Sequence, residues 1–172
     1  MNALLEPLDE RVDHVRGEEG QRVILEYGDY ECPYSRQAFR SIERVERELA
    51  GHVRFAFRHF PLIEIHPHAL ASALAAEAAA RQGRFWEMHE LLYHRQQALE
   101  DEDLRRYAAE LGLDVAQFDR DTQDAAVLAR VARDRASGEA TGLVQGTPTL
   151  FIDGELHDGA YDTATLLAAL AR

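Results

Sequence analysis

The stretch from Pro67 to Thr141 carries no strand pattern, while strand signals stand on both sides of it. That asymmetry limits the chain to an α/β arrangement in which a helical block is set between two β-bearing halves. On the N-terminal side, Val23-Ile24-Leu25-Glu26-Tyr27 is a short apolar run of strand formers ended by Gly28-Asp29, which reads as a buried strand entering a turn. From Pro33 a helix is expected, because proline suits a first helical turn and Ala38, Phe39, Ile42, Val45 and Leu49 fall on one stripe, with Gly51 closing it. Val53, Phe55 and Phe57 then alternate in strand period. Strand, helix and strand in that order imply a parallel pair joined by a right-handed crossover.

Inside the block, helices are predicted over Ala69 to Arg81 and over Phe85 to Gln96. The second places Phe85, Met88, His89 and Leu92 on one side; Phe85 and Trp86 read either as lining a substrate groove or, the plainer reading for aromatics at helical spacing, as core. Asp101 is expected to cap a helix over Leu104 to Leu111, Asp114 to start another through Phe118, and a longer helix to run from Asp124 to Ala140. Beyond Gly146-Thr147-Pro148, two short extended runs flank Asp153-Gly154. This is a hairpin signal whose two central residues need positive φ. Asp162 then caps a helix over Thr163 to Leu170. The expectation is one domain over 1–172 with 67–141 as a helical insertion, whose helices must pack over the sheet to bury their faces.

Bulk properties exclude several function classes. The hydrophobic share of 46% and charged share of 29% are those of a chain with an ordinary packed core. The net charge is -12 and all 19 basic residues are arginine, a surface that repels phosphate backbones and anionic lipid heads. Neither nucleic acid nor membrane is therefore an expected partner. No apolar run reaches the length of a membrane span, and Met1 to Gly20 lacks the apolar core of a leader, so a cytoplasmic chain is expected. A single cysteine fits a reducing compartment and leaves one thiol to explain.

That thiol, Cys32, lies just past a strand end and just before a helix start. There, unsatisfied N–H groups and the positive end of the helix dipole stabilise a thiolate. A buried structural cysteine is the plainer alternative. Thr147-Pro148 opens a strand where a cis bond is expected, and a proline loop beside a thiol offers backbone groups to an extended peptide or thiol ligand. Glu26, an acid in an apolar strand, is either a buried proton relay or a solvated strand-end residue. Asp29 and Glu31 read as surface turn residues whose charge opposes thiolate formation. Arg58 is expected to pair with an acid, and His59 and Phe60 to lie near the site at most. His66, His68, His89 and His94 invite a metal reading, but no cysteine pair supports them; satisfied or capping roles are expected, and no metal.

Tyr27-Gly28-Asp29-Tyr30-Glu31-Cys32-Pro33-Tyr34, Phe57-Arg58-His59-Phe60-Pro61-Leu62, His66-Pro67-His68-Ala69, Phe85-Trp86-Glu87-Met88-His89 and Gly146-Thr147-Pro148-Thr149 run in order over nearly the whole chain past Arg22. Together they resemble DsbA-family thioredoxin-fold proteins, and especially the thioredoxin-like domains fused to sodium/proton antiporters. The resemblance implies a thioredoxin fold, with Cys32 as attacking cysteine, Pro148 as the cis-proline beside it and Glu26 as the buried acid of the preceding strand. Pro33, Tyr34 and Thr147 complete the substrate contacts it implies. Ser35 stands where the family usually has its resolving cysteine. A serine there, natural or engineered, cannot attack a mixed disulfide, although it can donate a hydrogen bond to the Cys32 thiolate.

The implied activity is that of a monothiol thiol-disulfide oxidoreductase acting on thiol or disulfide substrates, protein or glutathione. It holds no bound cofactor and is resolved by glutathione or another external thiol. The Cys-Pro-Tyr run is similar to that of glutaredoxins, which points to glutathione as co-substrate. Two other readings remain open. One is a glutathione-dependent transferase or isomerase like the kappa class, whose members carry serine at the first position instead of the last. The other is a redox-sensing or peptide-binding module without catalysis. The oligomeric state is left open.

Overall fold

The structure is a computed structural model that describes residues 4–172. Its sheet has five strands, β1 (His14–Arg16), β2 (Arg22–Gly28), β3 (Val53–His59), β4 (Thr149–Ile152) and β5 (Glu155–His157), in the order β1-β3-β2-β4-β5. β2 and β3 run parallel, with α1 (Pro33–Leu49) between them in the chain, and the other three pairings are antiparallel. The outermost strands, β1 and β5, are three residues each. Helices α2 (Ala69–Arg81), α3 (Phe85–His94), α4 (Asp101–Glu110), α5 (Val115–Thr122) and α6 (Ala125–Ala140) fill the chain between β3 and β4, and α7 (Thr163–Leu170) follows the hairpin.

Strand alternation sorts the core into two layers. Ile24, Phe55, Phe57, Leu150 and Ile152 point to one face and pack with Phe39, Ile42 and Val45 of α1, Met88 and Leu92 of α3 and Leu166 of α7. Leu25, Tyr27, Ala56 and Phe151 point to the other, together with Val15 of β1, and Phe60, Val144 and the partly buried Leu5 and Leu8 pack on them. α6 reaches this second face at Gly138, where a Cβ would lie 3.0 Å from both the Phe60 and Tyr27 rings. The inserted helices thus pack over both faces, as their apolar stripes require.

Asp153 and Gly154 both take positive φ, at 49° and 85°, as the Asp-Gly turn requires. Asp114, Asp124 and Asp162 accept backbone N–H groups as the caps of α5, α6 and α7. Several expectations shift. β1 has no counterpart in the sequence reading, α3 stops at His94 instead of Gln96, and α4 is capped one residue early, by Glu100, in a capping box with Asp103. Any acid in the run from Glu100 to Asp103 could cap; the reciprocal bond from the Glu100 N–H to Asp103 selects Glu100. The left-handed residue that closes α1 is Ala50, its C-cap at φ 31°, one position ahead of Gly51.

Candidate functional site

β2 delivers the chain to its C-terminal edge, and the turn Gly28 to Cys32 carries it into α1. Cys32 is the N-cap of that helix, with Pro33 at the first helical position. The Cys32 N–H donates to the Asp29 carbonyl at 3.1 Å, and the Cys32 carbonyl accepts from Arg36 N–H at 3.1 Å. The α1 N-terminus therefore begins at the thiol. The residue is 3% exposed, and its Sγ donates to the Thr147 carbonyl across the sheet at 3.3 Å. The Thr147–Pro148 bond is cis. Two segments 115 residues apart thus meet at the sulfur.

Ser35 is fully buried one turn into α1. Its hydroxyl oxygen accepts the Asp29 N–H at 3.2 Å, and the sulfur's hydrogen bond runs to Thr147. Ser35 thus ties the turn to the helix. Glu26 resolves to the buried alternative. It is wholly enclosed in β2 on the face of Ile24, neither carboxyl oxygen has a hydrogen-bond partner, and burial pushes its pKa up to about 8.

Asp29 and Glu31 are not free turn residues. The Asp29 carboxylate is buried because three donors converge on it, the Glu31 N–H at 2.8 Å, the Leu62 N–H at 2.9 Å and His66 Nδ1 at 2.8 Å. Glu31 holds the His68 N–H and, at 3.2 Å, His68 Nδ1. His68 is in turn 3.0 Å from Glu100 through Nε2, and these carboxylates raise its pKa. His89 is enclosed with Nδ1 2.9 Å from the Tyr30 hydroxyl, and burial drives its pKa down. His94 faces Glu43 at 3.7 Å. Arg58 meets Asp13 through two nitrogens at 2.9 Å, both side chains fully buried. Phe85 is buried, and Trp86 packs on it and on Phe55.

An open cleft of about 420 Å³ lies over the proline loop, lined by Tyr34, Leu143, Thr147, Pro148, Leu156 and Tyr161. Tyr34 is 58% exposed on its rim. On the other side of Pro33 a second cleft, of about 400 Å³, is walled by Glu31, His68, Gln96, Leu99 and Glu100.

Three residues of this region are not legible in the sequence. Gln96 donates to the carbonyls of Tyr30 and Cys32 at 2.8 and 2.9 Å, tethering the helical block to the thiol turn. Tyr161 lies near Cys32 and Tyr34, and its phenol is pushed up by burial and by those neighbours. Glu77 accepts from His14 Nε2 at 2.6 Å and His59 Nε2 at 2.8 Å, the one metal-like donor set among the described residues. The two histidines supply donors to the carboxylate, which holds its pKa well below the usual range after burial is overcome.

A family model described as thioredoxin matches residues 9–172. Among curated proteins, the chain is 44% identical over 171 residues to a Na(+)/H(+) antiporter NhaA 1 of Mycolicibacterium gilvum, covering 97% of this chain and 27% of that protein. It is 44% identical over 165 residues to the NhaA antiporter of Herminiimonas arsenicoxydans, covering 95% of this chain and 26% of that one. The chain thus spans about a quarter of the length of these relatives. No helix among the described residues is long and apolar enough to cross a membrane. Among solved structures, it superposes on a thioredoxin-like oxidoreductase from Silicibacter pomeroyi with a TM-score of 0.83 at 29% identity, covering 95% of this chain and 92% of that one. BdbD from Bacillus subtilis gives a TM-score of 0.82 at 18% identity, covering 95% and 93%, and shares the fold.

Proposed function

Since the chain belongs to the thioredoxin family, we propose that it is a thiol-disulfide oxidoreductase in which Cys32 is the attacking thiol and the resolving thiol comes from outside these 172 residues. The observation that carries this reading is the position of the sulfur, at the N-cap of α1 and against the carbonyl that precedes a cis-proline. A helix start favours the thiolate, and the proline loop offers its backbone edge to an extended chain bearing the other sulfur. The relatedness to a thioredoxin-like oxidoreductase and the fold shared with BdbD and with the thiol-disulfide exchange protein alpha-DsbA2 of Wolbachia pipientis support it.

The reaction divides into two exchanges. The Cys32 thiolate attacks one sulfur of a disulfide; the Sγ–S bond forms as the substrate S–S bond breaks, and the departing thiolate takes up a proton. Glu26, protonated at neutral pH because its pKa stands at about 8, is the internal acid on the strand that leads to the thiol. Ser35 offers no second thiolate, so a low-molecular-weight thiol, of which glutathione is one, attacks the mixed disulfide and restores Cys32. Tyr34, Pro148 and Tyr161 shape the cleft that receives the partner sulfur.

Incubation with oxidised glutathione followed by intact mass measurement tests the first step, and turnover of a small disulfide coupled to glutathione and glutathione reductase tests the second. A single adduct, lost in Cys32→Ala, together with Cys32-dependent turnover is expected. An adduct without turnover with glutathione or with 2-mercaptoethanol would reduce the protein to a reactive thiol without a catalytic cycle.

A further inference from the structure

We infer that the Cys32 site selects cationic thiols and disulfides, with the acidic rim formed by Glu31 and Glu100 as the selecting element; this deepens the proposed activity and rests on Cys32 being the nucleophile. The two clefts that flank the thiol turn differ in charge. The one over Thr147–Pro148 presents tyrosines, leucines and proline, with His157 at its edge. The one on the far side of Pro33 presents two carboxylates and a histidine. Although the chain has 19 arginines, none lines either cleft. Arg36, the nearest in sequence to the thiol, is turned away to the carbonyls of Tyr93 and His94.

His68 does not make the rim cationic. It is clasped between Glu31 and Glu100 at 3.2 and 3.0 Å, so even with its ring protonated the three groups sum to a negative charge. Glu31 is mostly covered, with 18% of its side chain exposed, while Glu100 is 75% exposed and carries the field into solvent. The first turn of α4 continues the same sign with Asp101 and Glu102, whereas Asp103 is taken by Arg106. A disulfide with an ammonium group on each half finds carboxylates beside Pro33 and no opposing cation. Glutathione disulfide, whose carboxylates outnumber its ammonium groups, meets like charge on one side and no cation on the other.

The test is the rate of mixed-disulfide formation at Cys32, read by intact mass, with cystamine, bis(2-hydroxyethyl) disulfide and oxidised glutathione. Each rate is divided by that of the same reagent with free 2-mercaptoethanol. At low salt, cystamine is expected to react about tenfold faster than the neutral reagent and oxidised glutathione slowest, at the lower end of electrostatic steering. The spread should collapse near 1 M salt, where the screening length falls to about 3 Å. Glu100→Gln, which keeps an acceptor for the α4 cap, is expected to cut the cystamine advantage about twofold. Glu19→Gln, at the opposite end of β2 from the thiol, should leave it unchanged. Equal normalised rates, glutathione disulfide reacting fastest, or the same loss from Glu19→Gln would overturn the rim as the selector while leaving Cys32 reactive. No adduct with any of the three would overturn the nucleophile itself, and the selectivity with it.

Discussion

On the α1 face of the sheet, Glu26 keeps both carboxyl oxygens unpaired, whereas under β1 every buried carboxylate is met by donors from more than one direction. Asp13 receives Arg58 and the Asp9 N–H, Glu77 receives His14 and His59, and Asp134 receives the His59 N–H and Arg133, with Arg130 in ion-pair contact. Burial acts on both regions in the same sense, against charge. Donor supply decides the outcome: Glu26 rises to about 8, while Asp13 and Glu77 fall below the ordinary carboxylate range. One region holds an acid without donors on the strand that leads to Cys32; in the other, paired side chains tie β1 and the preceding loop to β3, α2 and α6.

The difference can be broken most forcefully from the charged side. Arg58→Met leaves Asp13 buried without its main partner and also frees the carbonyls of Glu6 and Pro7 that Arg58 holds. A loss of about 3–5 kcal/mol in denaturant unfolding is expected, and a value near zero would show that the lattice rearranges at no cost. On the Glu26 side the prediction is one of pH. A carboxyl whose folded pKa lies above its unfolded value binds more protons in the folded state, so stability is full below the unfolded pKa and falls as pH rises towards 8. The fall between pH 5 and 8 attributable to this group is about 3 kcal/mol; Glu26→Gln should flatten that slope, and an unaltered slope would place the titrating group elsewhere. Ser137→Ala gives the smallest effect, about 1 kcal/mol. It removes the 2.8 Å contact to the Tyr27 hydroxyl, which still accepts from Arg58 at 2.9 Å. A loss several times larger would show the lattice to be less redundant than its bonds indicate.

The features legible in the sequence are those whose cause is local. The α2 span, the Asp153-Gly154 turn and the caps at Asp114, Asp124 and Asp162 each follow from residues within a few positions of one another. Cys32 belongs with them, since a strand end, a proline and a helical stripe suffice to place it at a helix start. Glu26 was half legible: its strand was evident, but whether it lay buried depended on β3, β4 and α1 closing around it. The roles of Asp29, Gln96 and Glu77 were out of reach, because the partners that define them lie 18 to 66 residues away on other elements and no periodicity encodes such a meeting. β1 escaped for a different reason. Three residues are too few to show alternation, and it exists because β3 offers an edge to pair with.

That short strand has an effect on how copies of the protein meet in a crowded solution. A sheet bordered by long, flat strands presents a ladder of free backbone groups on which a neighbour can add itself. Here each margin is a three-residue strand, His14–Arg16 on one side and Glu155–His157 on the other, and both carry ionisable side chains. Each margin therefore offers a neighbouring copy only a three-residue template, interrupted by ionisable side chains, on which to add a strand.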